Sequence, residues 1–258
     1  MFDLTAIAQA LGADACRFDA ELLPECASTN ALLLARAENG APSGSVLIAE
    51  TQTAGRGRRG RTWHSAPGDS LTFSLLWRFA PGTLPLGLSL AAGVAVSEAL
   101  VKVGADGTAP VELKWPNDVL KGGRKLAGIL VELVPGAPHA AVIGIGLNLR
   151  LPAALPDEVR AHSAALDAAI DPNVLLAALL VELRATLEIF GTQGFRALRE
   201  AWLARHAFQD APVRLLSDFA PPREGICRGV DETGALLLET AGDIERILSG
   251  EVSLRGAA

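Results

Sequence analysis

Four arginines, Arg56, Arg58, Arg59 and Arg61, stand within six residues and are interleaved with Gly55, Gly57 and Gly60. Their guanidinium groups repel one another until an anion neutralises them, so the loop is expected to be mobile when it holds no ligand. Glycine lets the backbone approach an anion closely, and arginine's fork can grip phosphate or carboxylate oxygens in pairs. The plainer reading is a solvated basic turn or a nucleic-acid patch. The loop follows Glu50-Thr51-Gln52 and lies between two apolar segments, which favours a ligand lid at a sheet edge over a tail.

A second constellation is Lys114-Trp115-Pro116-Asn117-Asp118, with Lys125 beyond a Gly-Gly turn. A hairpin there can bring both lysines to one mouth. Such cations suit formation of an acyl adenylate, in which a carboxylate attacks the α-phosphorus of ATP and charge builds on phosphoryl oxygens and departing pyrophosphate. Asn117 and Asp118 could hold Mg²⁺ or orient a ribose. Taken alone, the same residues also make two surface lysines and a turn. Gly144-Ile145-Gly146-Leu147-Asn148 puts glycines in a strand, where another backbone or a flat ligand can come close. Without a third glycine opening a helix it is no dinucleotide fingerprint. Ser28-Thr29-Asn30 fits a helix cap and needs no ligand to explain it. His64, His139, His162 and His206 are scattered, which argues against a histidine-held metal and against a Ser-His-Asp triad.

These groups need elements to position them. Helices are expected over Leu4–Leu11, Ala31–Ala37, Leu86–Val103, Val174–Phe190 and Phe195–His206. Strands are expected over Phe18–Leu23, Ser45–Glu50, Leu71–Trp77, Val111–Leu113, Leu126–Leu133 and Ala140–Leu149, with a hairpin turn at Lys121–Arg124. After Asp210 come short strands over Val213–Leu216, Gly225–Val230, Ala235–Glu239 and Glu245–Leu248. Strands and helices without strict alternation, then a β-only tail, give an α+β main domain over 1–209 and a small barrel over 210–258. The 258 residues can bury a sizeable core and leave enough for that second domain. The start of the chain has no signal-peptide pattern, and no apolar run reaches membrane-spanning length. Cys16, Cys26 and Cys227 fit a reducing compartment, here the cytoplasm. A net charge of −6 gives no general attraction to nucleic acid, so an anion site must be local.

Together and in this order, Ser28-Thr29-Asn30, Glu50-Thr51-Gln52, the Gly55–Trp63 loop, Lys114–Asp118, Arg124–Gly128 and Gly144–Asn148 resemble the biotin–protein ligase family. The tail segments Arg228-Gly229, Gly234–Glu239 and Gly250–Arg255 extend the resemblance, which covers the chain from about residue 25. It implies a mixed-sheet catalytic domain like that of class II aminoacyl-tRNA synthetases, followed by an SH3-like barrel. It also implies an enzyme that uses ATP and Mg²⁺ to activate biotin as an adenylate and passes it to a lysine of a biotin carboxyl carrier protein.

By this resemblance Ser28, Thr29, Gln52 and Lys125 contact biotin, with Asn30 and Gly128 beside them, and Gly55 to Arg61 close over the adenylate with Trp63 near the nucleotide. Arg58, Lys114, Lys125 and Asp118 take the catalytic roles, Asn117 and Asp118 serve the nucleotide and Mg²⁺ side, and Asn148 closes the ATP pocket. Adenine is expected under Pro152–Ala165, stacked on Trp, Phe or His because the chain has no tyrosine. The biotin tail is expected in an apolar slot around Val131 and Ile143. Some family members carry an N-terminal helix-turn-helix domain, and the residues before Ser28 are too few for one, so DNA binding is not expected. The resemblance admits a homodimer joined at a sheet edge. The rival readings are a lipoate or octanoate ligase, a sensor that binds without turnover, and a basic-loop nucleic-acid binder.

Overall fold

The computed structural model describes residues 2–105, 107, 109–166, 169–217, 221–248 and 252–256. Seven strands form one mixed sheet: β1 Asp19–Cys26, β2 Ser45–Gln52, β3 Ser70–Arg78, β4 Val111–Lys114, β5 Asp118–Lys121, β6 Arg124–Val134 and β7 Ala137–Asn148. Their order is β1-β2-β3-β7-β6-β5-β4, with β1 and β2 parallel and the other neighbours antiparallel. The helices are α1 Leu4–Leu11, α2 Thr29–Glu38, α3 Leu88–Lys102, α4 Asp157–Ala161, α5 Pro172–Gln193 and α6 Arg199–Leu203.

The alternation of side chains along β3, β6 and β7 gives the sheet two different faces. Leu71, Phe73, Leu75, Ile129, Ile143, Ile145 and Leu147 join one large buried core with α3 and α5. Each fully buried leucine or isoleucine there contributes about 1.5–3 kcal/mol. The opposite face carries a smaller cluster, in which Leu33 and Ala37 of α2 meet Leu76 and Val142. Continuing along that face, β3 presents Ser74 and Thr72 and β7 presents Gly144, Gly146 and Asn148. The site lies here.

The polar stretch after β7 does more than link elements. Lys125 N–H donates to His162 O at 2.9 Å, Ala164 N–H donates to Lys125 O at 2.8 Å, and Asn148 Nδ2 donates to Ala164 O at 2.9 Å. Five further strands, β8 Pro212–Ser217, β9 Arg223–Val230, β10 Leu236–Thr240, β11 Asp243–Ile247 and β12 Val252–Gly256, form an antiparallel sheet in the order β11-β10-β9-β8-β12. β12 has no counterpart among the strands expected from sequence.

Two expectations need correction. The helix expected over Phe195–His206 is a 3₁₀ turn, Phe195–Leu198, followed by α6, which stops at Leu203. The backbone beyond it is drawn onto β4: Leu113 N–H donates to Arg205 O at 2.7 Å and Ala207 N–H donates to Leu113 O at 2.9 Å. The strands around Val131 and Ile143 do border the site, but the period of two turns these two side chains themselves toward the helix-side core.

Candidate active site

Strand register places the lysines. On the β4/β5 hairpin Lys114 pairs directly with Asp118. On β6 the register shifts by one between Val119 and Leu120, so that Lys125 faces Leu120 while Gly128 faces Asp118. Without this bulge Lys125 would lie opposite Lys121, on the other face, since a one-residue slip reverses every side chain beyond it. With it, Lys125 Nζ reaches Asp118 Oδ1 at 2.6 Å, and Lys114 Nζ lies 3.2 Å from Oδ2. Gly122 and Gly123, both with positive φ, make the tight turn that returns the chain.

Burial pushes the Asp118 carboxyl up, but the adjacent charges of Lys125 and Lys114 and their hydrogen bonds override it and hold the group down at about 2. Burial lowers the Lys114 ammonium below the usual lysine value, with Asp118 opposing and Arg255 of β12 reinforcing the shift. Arg61 is also lowered, first by burial and then by Arg255 and Arg59. The β-only tail therefore adds a cation to the field at this mouth. It is tied to the same motif by Trp115 Nε1, which donates to Gly234 O at 3.1 Å.

The arginine loop forms an ordered turn over these lysines. Gly57 N–H donates to Arg61 O at 2.7 Å and Trp63 N–H to Gly55 O at 2.9 Å, while Arg59 takes a left-handed φ of 59°. Arg58 Nη1 donates to Asn117 Oδ1 at 3.3 Å, and Arg56 Nη2 lies 2.5 Å from Glu132 Oε1. Beneath the loop, the glycines of β7 and β6 accept groups of the protein itself. A Cβ on Gly146 would lie 2.2 Å from the Trp63 ring, and one on Gly144 would lie 2.2 Å from Asn30 Oδ1. A Cβ on Gly128 would meet Lys125 Nζ at 2.9 Å, and Lys125 Nζ stands 5.8 Å from the Trp63 ring centre. Side chains of the protein, the Trp63 indole and the Asn30 amide, thus take the space expected for another backbone or a flat ligand.

At the far end Ser28 caps α2, its Oγ accepting from Ala31 N–H at 3.5 Å, so the capping reading holds for this residue. Thr29 and Asn30 are buried in a polar chain. Gln52 Oε1 accepts from Thr29 N–H at 2.8 Å, the Thr29 and Ser74 hydroxyl oxygens are 2.7 Å apart, and Ser74 Oγ donates to Asn30 Oδ1 at 2.6 Å. Asn30 Nδ2 then donates to Glu132 Oε2 at 2.9 Å. Ser74 and Glu132 carry no sequence motif, and the only trace of Ser74 is its polar position in the alternation of β3.

Most of these groups border one cleft with about 880 Å³ of unfilled space, part of it open to solvent. Trp63, Phe73, Ile129, Leu130 and Ile145 also line it. Two of its lining polar atoms, Trp63 Nε1 and Thr72 Oγ1, are buried without a hydrogen-bond partner among the described residues, as expected where a ligand completes the bonding. The cleft brings together Ser28, Thr29, Asn30, Gln52, most of the arginine loop, Trp63, Lys114, Asn117, Asp118, Lys125 and Gly128. Asn148 stands apart from it, engaged with Ala164. Gly55 and Gly60 border a second recess, which the loop shares with Leu130 and Glu132.

Residues 23–148 match the Biotin/lipoate A/B protein ligase family, and residues 212–255 match the Biotin protein ligase C terminal domain. The chain is 43% identical over 92% of its length to the Bifunctional ligase/repressor BirA of Escherichia coli, covering 74% of that protein. The chain belongs to the biotin protein ligase family. To the Biotin--[acetyl-CoA-carboxylase] ligase of Mycobacterium tuberculosis this family member is 37% identical, over 95% of its own chain and 92% of the relative. Its fold is similar to that of the biotin protein ligase from Aquifex aeolicus in complex with biotin and ATP, with a TM-score of 0.80, 32% identity, and coverage of 93% of this chain and 99% of that one. The mixed sheet with packed helices and the five-stranded SH3-like tail are thus the family's architecture. No described helix is long and apolar enough to cross a membrane.

Proposed function

We propose that this chain activates biotin with ATP and transfers it to a lysine of a biotin carboxyl carrier protein. The observation that carries the reading is the convergence of the lysine pair, the arginine loop and the buried Thr29–Asn30 end on one cleft. In the first step the biotin carboxylate attacks the α-phosphorus of ATP and pyrophosphate departs. In the second the carrier lysine attacks the mixed anhydride, forming an amide and releasing AMP.

Each part of the cleft has a task that its chemistry fits. Thr29, Ser28, Gln52 and Asn30 supply fixed donors and acceptors for a polar ring, and Leu130 and Trp63 supply apolar contact. Lys125 and Lys114 place positive charge where phosphoryl oxygens become more negative, and Asp118 keeps both ammonium groups in position before substrate arrives. Arg56, Arg58, Arg59 and Arg61 cover the adenylate and keep water from the anhydride, with Gly55, Gly57 and Gly60 letting the loop follow the ligand. Asn117 holds Arg58, and Asn148 holds the 162–166 segment that borders Lys125.

The residues present do not fit a protein-held magnesium ion. The Asp118 carboxylate is already shared by two ammonium groups, and no cluster of three His, Cys, Asp or Glu ligands occurs among the described residues. Magnesium would therefore enter with the ATP phosphates, and no step above depends on it.

Pyrophosphate release from ATP, measured with biotin, lipoate or octanoate offered separately and followed by addition of a carrier domain, tests the reading. Biotin-dependent release with a mass gain on the carrier lysine is expected. Release only with lipoate or octanoate, or biotin binding without release, would overturn it.

A further inference from the structure

The Glu132 carboxylate faces two ways. Its Oε1 takes Arg56 Nη2 at 2.5 Å, and its Oε2 takes Asn30 Nδ2 at 2.9 Å, within the polar chain that runs through Ser74 and Thr29 to Gln52. Asn30 is itself fixed, its Oδ1 filling the notch over Gly144 and its Nδ2 also donating to Leu130 O at 3.2 Å. Glu132 is thus an oriented anion on a rigid strand. Arg56 borders both the cleft and the second recess, whereas Glu132 borders the recess alone. The ion pair therefore holds the first arginine of the loop toward this recess, away from the cleft where a bound carboxylate or phosphate would want it.

We propose that Glu132 is a resident counter-ion for the arginine loop, a positioning residue that an incoming anionic ligand must displace from Arg56. This rests on the functional reading above, because that reading supplies the anion. Without ligand, Glu132 restrains the loop and neutralises one of its repelling charges. With the adenylate bound, Arg56 turns inward and the restraint is released, so the loop's order depends on the ligand and no longer on Glu132. The pair is half exposed, at 49% for Arg56 and 22% for Glu132, which makes it weak enough to exchange.

Amide hydrogen exchange of residues 55–63, read by mass spectrometry with and without biotin plus ATP, tests this on the full chain. Glu132→Gln preserves size and an oxygen for Asn30 but removes the charge. The segment should exchange up to about fivefold faster than wild type without ligand, and at the wild-type rate with ligand. Arg56→Gln should give the same ligand-free acceleration, and the double variant no more than either single one. Unchanged exchange without ligand would overturn the proposal, as would equal loosening in both states, the mark of a simple strut. Failure of biotin plus ATP to protect the wild-type segment would overturn the functional reading instead, while the ligand-free comparison would still show whether Glu132 restrains the loop.

Discussion

The lysine hairpin and the arginine loop both deliver cations to one cleft, but they are built in opposite ways. Lys114, Asp118 and Lys125 sit on strands whose backbones are paired on both sides of Asp118, and the two ammonium groups share one largely buried carboxylate. The arginines sit in a short turn that crosses between elements, with one residue in the left-handed region and contacts that reach to Glu132 and Asn117. A cation fixed before substrate arrives can act on charge that appears only in the transition state, because nothing must reorganise when it appears. A cation on a loop suits retention, where entry and release both require movement. Under the proposed function, this contrast would divide chemistry, on the hairpin, from containment, on the loop.

The largest expected effect tests the first half. Lys125→Ala should slow adenylate formation by about 10²–10³-fold while weakening ATP binding far less. Single-turnover pyrophosphate release beside equilibrium ATP titration measures both. Equal losses would mean that Lys125 merely holds the ground state and that the hairpin is no more catalytic than the loop.

Next comes Asp118, on which the hairpin's preorganisation depends. Asp118→Asn leaves two facing ammonium groups without their counter-charge and should destabilise the protein by about 2–3 kcal/mol, at or below the usual range for breaking a buried pair because Lys125 is partly exposed. The wild type gives an independent check. The Asp118 carboxyl is held at about 2 against an ordinary 3.8, so its stabilisation is complete above pH 4 and is lost as pH falls toward 2, roughly 2 kcal/mol in all. His206 acts in a separate window. Burial keeps its pKa at about 4 against an ordinary 6.5, so stability falls as pH drops from 6.5 to 4. Denaturant midpoints across pH should show both declines in the wild type and a smaller lower one in Asp118→Asn, what remains coming from Glu21, Asp210 and Asp231, whose carboxyls are also held low. A lower decline of unchanged size would remove Asp118 from the account.

The same contrast explains what could be read from the chain. The arginine loop is legible because its charge and its glycines are written in consecutive residues. The lysine pair was legible as a possibility, since a Gly-Gly turn lies between the lysines, but the bulge that turns Lys125 to the face of Asp118 is a one-residue register shift with no composition of its own. The glycines of β7 announced a close approach, yet the approaching groups are Trp63 and Asn30, which are distant in sequence. Ser74 and Glu132 escaped because a lone polar residue in a strand says nothing until its neighbours across the sheet are known. The α+β plan, β-only tail and most strands followed from periodicity. The end of α6 did not, because edge pairing with Leu113 is a tertiary demand that overrides helix propensity.

On the loop, Arg58→Ala should raise the dissociation rate of the biotin adenylate by about tenfold, the lower end for one charge-assisted contact, with little change in the rate of its formation. Trapping released adenylate after a single turnover would measure this. A slower chemical step with unchanged release would move Arg58 into the hairpin's class and erase the proposed division.

The smallest effect is the most direct comparison of the two regions. Raising salt from about 0.05 to 0.5 M shortens the screening length from above 10 Å to below 5 Å, which weakens exposed charge contacts more than buried ones. The Arg56 side chain is 49% exposed, against 10% for Lys114 and 16% for Asp118. Without ligand, residues 55–63 should therefore exchange amide hydrogens about two- to threefold faster at high salt, while residues 114–125 keep their low-salt rates because strand pairing and a dry carboxylate hold them. The loop's own repulsion works against this, since screening also relieves the arginines of one another. A net acceleration would show that attraction to Glu132 and Asn117 outweighs that repulsion. Slower exchange at high salt would show the reverse, and the loop would then be a segment strained by its own charge rather than one restrained by its neighbours.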